Sequence, residues 1–135
     1  MKIRGSYFRD GKHWVVDLPA IDATTQAPAK SKIEEMVRDL LSSLANRPIE
    51  LSAALFGNGK IEVDVIDEVA LFPLILRRQR EKSGMSQKDA ANLLGYASVN
   101  AYSAYEQGER QPSLEKAEKL LKAVSKESRI RIDVA

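Results

Sequence analysis

LFPLILRRQREKSGMSQKDAANLLGYASVNAYSAYEQGERQPSLEKAEKLL, residues 71–121, divides into four helical segments on its punctuation alone. Pro73 suits the first turn of a helix, where its missing N–H leaves no bond unmade. That helix runs through Leu74, Leu76, Arg77, Arg78 and Arg80 to a stop at Gly84. Ser86 with Asp89 three positions on forms a capping box for a second helix. Ala90, Leu93 and Leu94 give it an apolar stripe, and Gly95 closes it. A third helix spans residues 98–107 and stops at Gly108. A fourth follows Pro112 with Ser113 as N-cap, and Leu114, Ala117, Leu120, Leu121 and Val124 share one face at a spacing of about 3.6 residues.

The third helix carries the chemistry. Tyr102 and Tyr105, at i, i+3 spacing, point one way and anchor it to the bundle. The face with Ser98, Val99, Asn100, Ser103 and Gln107 is small, polar and uncharged. Such side chains suit base edges in a major groove, where Asn bonds adenine and a methyl group meets thymine. An ordinary solvated helix face has the same polarity, so the order of motifs carries the weight. Leu76–Arg77–Arg78, Gly84–Met85–Ser86–Gln87, Leu94–Gly95, Tyr105–Glu106–Gln107–Gly108 and Arg110–Gln111–Pro112–Ser113 follow one another as in the phage-repressor and Cro type of helix-turn-helix, which this segment resembles. The resemblance implies that the third helix reads DNA and that Gln87, opening the second, bonds phosphate. The candidate DNA-binding set is Gln87, Lys88, Ser98, Val99, Asn100, Ser103 and Arg110. Between Gly95 and Glu106 the chain is one residue longer than that family's pattern, which shifts the base-facing side by one position, or about 100° of helix rotation.

The chain of 135 residues has room for one ordinary domain or two small ones. It contains no cysteine, hence no disulfide frame, thiol nucleophile or cysteine-rich zinc site. Its start, MKIRGSYF, lacks the apolar run of a signal peptide, and no segment approaches the roughly 20 apolar residues that span a bilayer. The expectation is a soluble cytoplasmic protein. The net charge of +2 hides an asymmetry. Residues 1–70 hold 9 Lys/Arg against 11 Asp/Glu, while residues 71–135 hold 12 against 8. The basic half is the one expected to meet phosphate, yet its excess is modest, so a dimer or a higher even-numbered oligomer is expected on double-stranded operator DNA.

The first half has a period of two. Residues 1–18 read as a hairpin about Asp10–Gly11, both of which tolerate φ > 0. With those two as the loop, Tyr7 faces Trp14, Gly5 faces Val16 and Ile3 faces Leu18 on a core side, while Phe8 faces His13 and Arg4 faces Asp17 on the other. Pro19 ends the second strand, and residues 21–27 alternate weakly as a third. Ser31 and Glu34 read as a capping box for a helix whose Ile33, Met36, Val37, Leu40, Leu41 and Leu44 form one stripe, to be buried on the Trp14 side of the sheet. Beyond Arg47–Pro48, residues 49–65 read as a second hairpin about Gly57–Asn58–Gly59. The link over residues 66–70, without Gly, Pro or Ser, is expected to be short and stiff.

A β-β-β-α-β domain with Asp17–Leu18–Pro19 closing its second strand, Thr25–Gln26 before the helix, and a helix-turn-helix behind it resembles the HicB-type antitoxins. Ala20 and Ala27 stand where that family commonly has glycine. The resemblance implies an α+β toxin-binding domain over residues 1–68, made of a small antiparallel sheet and one helix. An all-α helix-turn-helix domain with a terminal β-strand follows over residues 69–135. The implied partner is a HicA-type toxin, a small RNA-cleaving protein, and the implied second role is repression of the chain's own operon. Phe8, His13 and Asp17 on the outward sheet face are the candidate toxin contacts. Ile130, Ile132 and Val134 alternate in a terminal strand at residues 129–134 and are the candidate dimerisation residues, because an unpaired strand edge invites a second copy.

Catalysis is not expected. His13 is the single histidine. Asp17, Asp22, Glu34 and Glu35 could be drawn as a metal-binding cluster, but Glu34 and Glu35 suit the first turn of a helix for its dipole, and Asp17 is expected to pair with Arg4. No cofactor and no metal is implied. The alternative to an antitoxin is a stand-alone repressor whose first domain senses a ligand or partner, and that reading requires a concave apolar pocket.

Overall fold

The computed structural model describes residues 1–132 and 134. The chain forms two compact units, Met1–Leu74 and Ile75–Ala135. In the first, β1 (Lys2–Asp10), β2 (His13–Leu18) and β3 (Ala23–Ala27) form a meander. Helix α1 (Ile33–Ala45) follows, then β4 (Leu51–Leu55) and β5 (Lys60–Val65). All neighbours are antiparallel and the strand order is β3-β2-β1-β5-β4.

The first hairpin closes one residue further along than expected, which moves each cross-strand partner by two. Asp10 pairs with His13, Arg9 with Trp14, Tyr7 with Val16 and Ser6 with Asp17. The loop is therefore Gly11–Lys12, with Gly11 at φ +61°. A two-residue loop led by a glycine at positive φ matches the right-handed twist of its strands, and this selects the register. A shift of two preserves the alternation of faces, so the core side survives while every expected partner changes. Arg4 does not meet Asp17; its Nε lies 3.4 Å from the Glu62 carboxylate on β5. Phe8 faces Val15, not His13.

The inward face carries Ile3, Tyr7, Val16, Leu18, Ala27, Leu51, Ile61, Val63 and Val65, all buried. Helix α1 packs on it through Ile33, Val37 and Leu41, which are fully buried at i, i+4, i+8, while Met36, Leu40 and Leu44 stay half-exposed. The expected Ser31–Glu34 box is not formed. Lys30–Lys32 is a short 3-10 turn, Lys32 is the N-cap, and no side chain caps the helix. Glu34 instead takes a hydrogen bond from Arg38 at 3.0 Å, one helical turn away. Asn46, at φ +54°, ends α1 in the left-handed conformation, with its N–H shared between the Ser42 and Ser43 carbonyls.

Helix α2 (Glu68–Lys82) begins five residues before the expected Pro73, so the proline lies inside the helix and leaves the Val69 carbonyl without its usual donor. The division between the two units falls one residue after it. The second unit continues with α3 (Gln87–Leu93), α4 (Val99–Glu106) and α5 (Leu114–Val124). Ala117, Leu120, Leu121 and Val124 of α5 are buried as expected, but Leu114 at its start is 56% exposed. On α3 the inward residues are Ala90 and Ala91, and Leu93 turns out to solvent. Among the described residues no terminal strand is formed. Residues 125–132 and Val134 are irregular and Asp133 lies outside the described residues. A strand exists only as a paired ladder, and the described residues of this segment pair with no other strand. Ile132 and Val134 are exposed and Ile130 is half-buried.

Candidate nucleic-acid interface

Helices α3 and α4 are held by local chemistry that the sequence spells out. The Ser86 hydroxyl accepts from Asp89 N–H at 3.0 Å, and Asp89 accepts from Ser86 N–H at 3.1 Å, so both members of the capping box are satisfied. These bonds, the backbone one first, hold the Asp89 carboxyl below its ordinary value. Gly84, Gly95 and Gly108 all sit at positive φ where the three helices end. Ser98 caps α4 by accepting from Ala101 N–H at 3.3 Å.

The rotation of α4 follows from what it buries. Tyr102, Ser103, Tyr105 and Glu106 are buried, whereas Asn100 and Gln107 are exposed and Ala101 and Ala104 are half-exposed. At about 100° per residue, Asn100, Ala104 and Gln107 form one outward stripe. Ser98 and Val99 are exposed at its N-terminal end. Ser103 lies on the inward side, and its hydroxyl donates to the Asn100 carbonyl at 3.3 Å. The stripe offers two carboxamides separated by a methyl group, a set suited to adenine edges and thymine methyls. Ala104 was not singled out from the sequence. The signal was present, since fixing Tyr102 and Tyr105 inward places position 104 outward.

An ion pair sets the pitch of this helix against its neighbours. Arg80 of α2 grips Glu106 with two bonds, 2.7 Å from Nε and 3.0 Å from Nη2, and its Nη1 donates to the Met85 carbonyl at 2.8 Å. Their side chains are only 12% and 2% exposed. The Glu106 hydrogen bond raises the Arg80 guanidinium above its ordinary value. Gln87 is half-buried, and its amide reaches the same carboxylate at 3.4 Å. One carboxylate thus ties α2, α3 and α4 together. Beside it, burial and then the Glu106 carboxylate push the Tyr102 phenol well above its ordinary range.

Charge is distributed unevenly over the unit. Arg77 and Arg78 meet Glu81, Lys119 meets Glu115, and Lys122 meets Glu118. Among the described residues, Lys88, Arg110 and Lys116 belong to no ion pair, and they flank α4 in the chain: at the start of α3, in the loop after α4, and in the first turn of α5. Arg110 lies over the Tyr105 ring, 5.8 Å from its centroid, and Lys116 lies over Tyr96 at 5.4 Å. The two rings stack at 6.5 Å with 25° between their planes. Cations left uncompensated beside an uncharged, exposed helix face are the electrostatic footprint of a nucleic-acid reader. Among the described residues no His, Asp or Glu cluster could hold a metal ion, and no helix is long and apolar enough to cross a membrane.

Comparison with known proteins agrees with this geometry. No curated protein matches the chain. A family model described as helix-turn-helix matches residues 76–127, from the second half of α2 to just beyond α5. The second unit carries a DNA-binding helix-turn-helix, and the chain is a DNA-binding regulator of transcription.

Proposed function

We propose that this regulator is the antitoxin of a type II toxin–antitoxin pair, whose sheet unit masks a HicA-type RNA-cleaving toxin while its helix-turn-helix represses the shared operon. The observation that carries the reading is the bare outer face of the sheet. Helix α1 takes one face, and the register places Phe8, His13 and Asp17 together on the other. Phe8 is 51% exposed and directly opposite the half-buried Val15. Arg4, Glu62 and Asp64 lie on the same face, toward β5. An apolar centre with a charged rim is the anatomy of a protein interface. The unit's acidic excess, 11 carboxylates against 9 cations over residues 1–74, complements a basic RNA-binding partner.

A ligand-sensing repressor finds less support. The cleft lined by Arg38, Asp39, Ser42 and Glu50 on one hand and Pro48, Ile49, Leu51 and Ile66 on the other is open to solvent, unlike the enclosed site a small-molecule sensor needs. The chain acts without catalysis in this reading. In the second unit Ile130, Ile132 and Val134 form a strand only when a second copy supplies the ladder, making the repressor a dimer on a two-fold operator.

Co-expression of the tagged chain with the short reading frame beside its own tests the proposal. The expected result is a stoichiometric complex with a small basic protein, and growth restored where that protein alone arrests it. Absence of both complex and toxicity removes the antitoxin reading and leaves the repressor. Phe8→Asp, on the exposed face, is expected to break the complex while the chain stays folded and bound to DNA.

A further inference from the structure

We infer that Tyr96 and Tyr105 are positioning residues for DNA binding, holding Lys116 and Arg110 as two preset phosphate contacts flanking α4. The inference rests on the DNA-reader assignment of this unit and specifies how its backbone contacts are made. Four separate segments contribute: the turn before α4 gives Tyr96, α4 gives Tyr105, the loop after it gives Arg110, and α5 gives Lys116. Tyr96 sits in the turn between α3 and α4, and its N–H is fixed to the Ala91 carbonyl at 2.9 Å. Its hydroxyl is buried with no hydrogen-bond partner among the described residues, so the ring rather than the hydroxyl makes its contacts.

The choice of neighbour matters physically. Arg77, Arg78, Lys119 and Lys122 lie against carboxylates, which offset their charge toward DNA. Arg110 and Lys116 lie against neutral rings instead. A ring face restrains a cation through its quadrupole yet leaves the whole positive charge available to phosphate. The ordering cost of a long side chain is then met before DNA arrives, which raises affinity without adding a contact.

The test uses the purified full chain and a fluorescent duplex of random sequence, titrated over a series of salt concentrations. Arg110→Gln and Lys116→Gln should each flatten the plot of log affinity against log salt by about 0.9, one phosphate contact each. Tyr96→Leu should weaken binding by about two- to fivefold in the wild-type background and by nothing further in Lys116→Gln. Tyr96→Phe should bind as wild type. If both charge variants keep the wild-type slope, the phosphate assignment is wrong. If Tyr96→Leu costs the same in both backgrounds, the ring is merely structural and the positioning role is overturned. A wild-type chain that binds no duplex would instead sink the DNA-reader assignment, which is a separate failure.

Discussion

The two units hold themselves together by different means. In the sheet unit the ties are backbone ladders between distant strands, and β1 alone joins β2 on one side and β5 on the other. In the helical unit the ties are side chains: serine caps on α3, α4 and α5, and one buried Arg–Glu pair reaching across 26 positions. A ladder spreads its stability over many bonds of similar worth. A side-chain network concentrates it in a few groups, and those few groups also orient the helix that meets DNA. The sheet unit should therefore tolerate most single side-chain changes on its outer face, while the helical unit should not tolerate loss of Glu106.

The sharpest way to break this contrast is Glu106→Ala. It leaves the Arg80 guanidinium buried without its partner, at an expected cost of about 3–5 kcal/mol. Chemical denaturation should show the helical unit melting early while the sheet signal persists. The counterpart in the sheet is Gly5→Ala. A Cβ there would lie 2.1 Å from the Asp17 carbonyl oxygen and 2.9 Å from Leu18 Cδ2, so β1 must shift away from β2. The expected loss is about 1–3 kcal/mol, read from the denaturation midpoint of the sheet transition. A Gly5→Ala chain as stable as wild type would mean the ladder is looser than its register suggests.

Smaller effects sharpen the picture. Ser86→Ala removes one orphan-donor bond at the start of α3 and should cost about 1 kcal/mol, seen as a lower melting temperature with unchanged operator preference. The smallest effect concerns acid. The Asp89 carboxyl lies below its ordinary value of 3.8, so it binds its proton less readily in the folded state. Its contribution is present above that value and fades as pH falls through the lowered one. Asp89→Asn should flatten the acid limb of the stability profile between about pH 5 and pH 2. An unchanged acid limb would show that the carboxylate adds nothing to the cap.

These contrasts also explain which features could be read from the sequence. Ser86 with Asp89, Ser98, Ser113 and the three helix-ending glycines act within a few residues, so their neighbours in sequence are their neighbours in space. The alternation of Ile3, Tyr7, Val16 and Leu18 was legible because burial enforces it. The partners across the strands were not, since a slip of two leaves every face unchanged and only the loop's own φ requirement decides. Ser31 and Glu34 carried the signature of a capping box, but the 3-10 turn at Lys30–Lys32 placed the cap one residue later. Ser103 was expected outward because it is polar; the buried Tyr102 and Glu106 turn it inward. The Arg80–Glu106 pair has no periodic signal at all, because its two halves belong to different helices.

The place of β1 in the sheet has a consequence for how the chain is made. Residues 1–27 leave the ribosome before the rest of this unit and can close into the β1-β2-β3 meander. The stretch Lys2–Ser6 pairs with β5, and β5 is not synthesised until residue 65. For that interval the nascent chain carries a half-satisfied edge on β1, open to any other strand that can pair with it. A chain interrupted before β5 is therefore not a smaller version of this unit but a template for mispairing, and the last strand made is the one that retires the hazard.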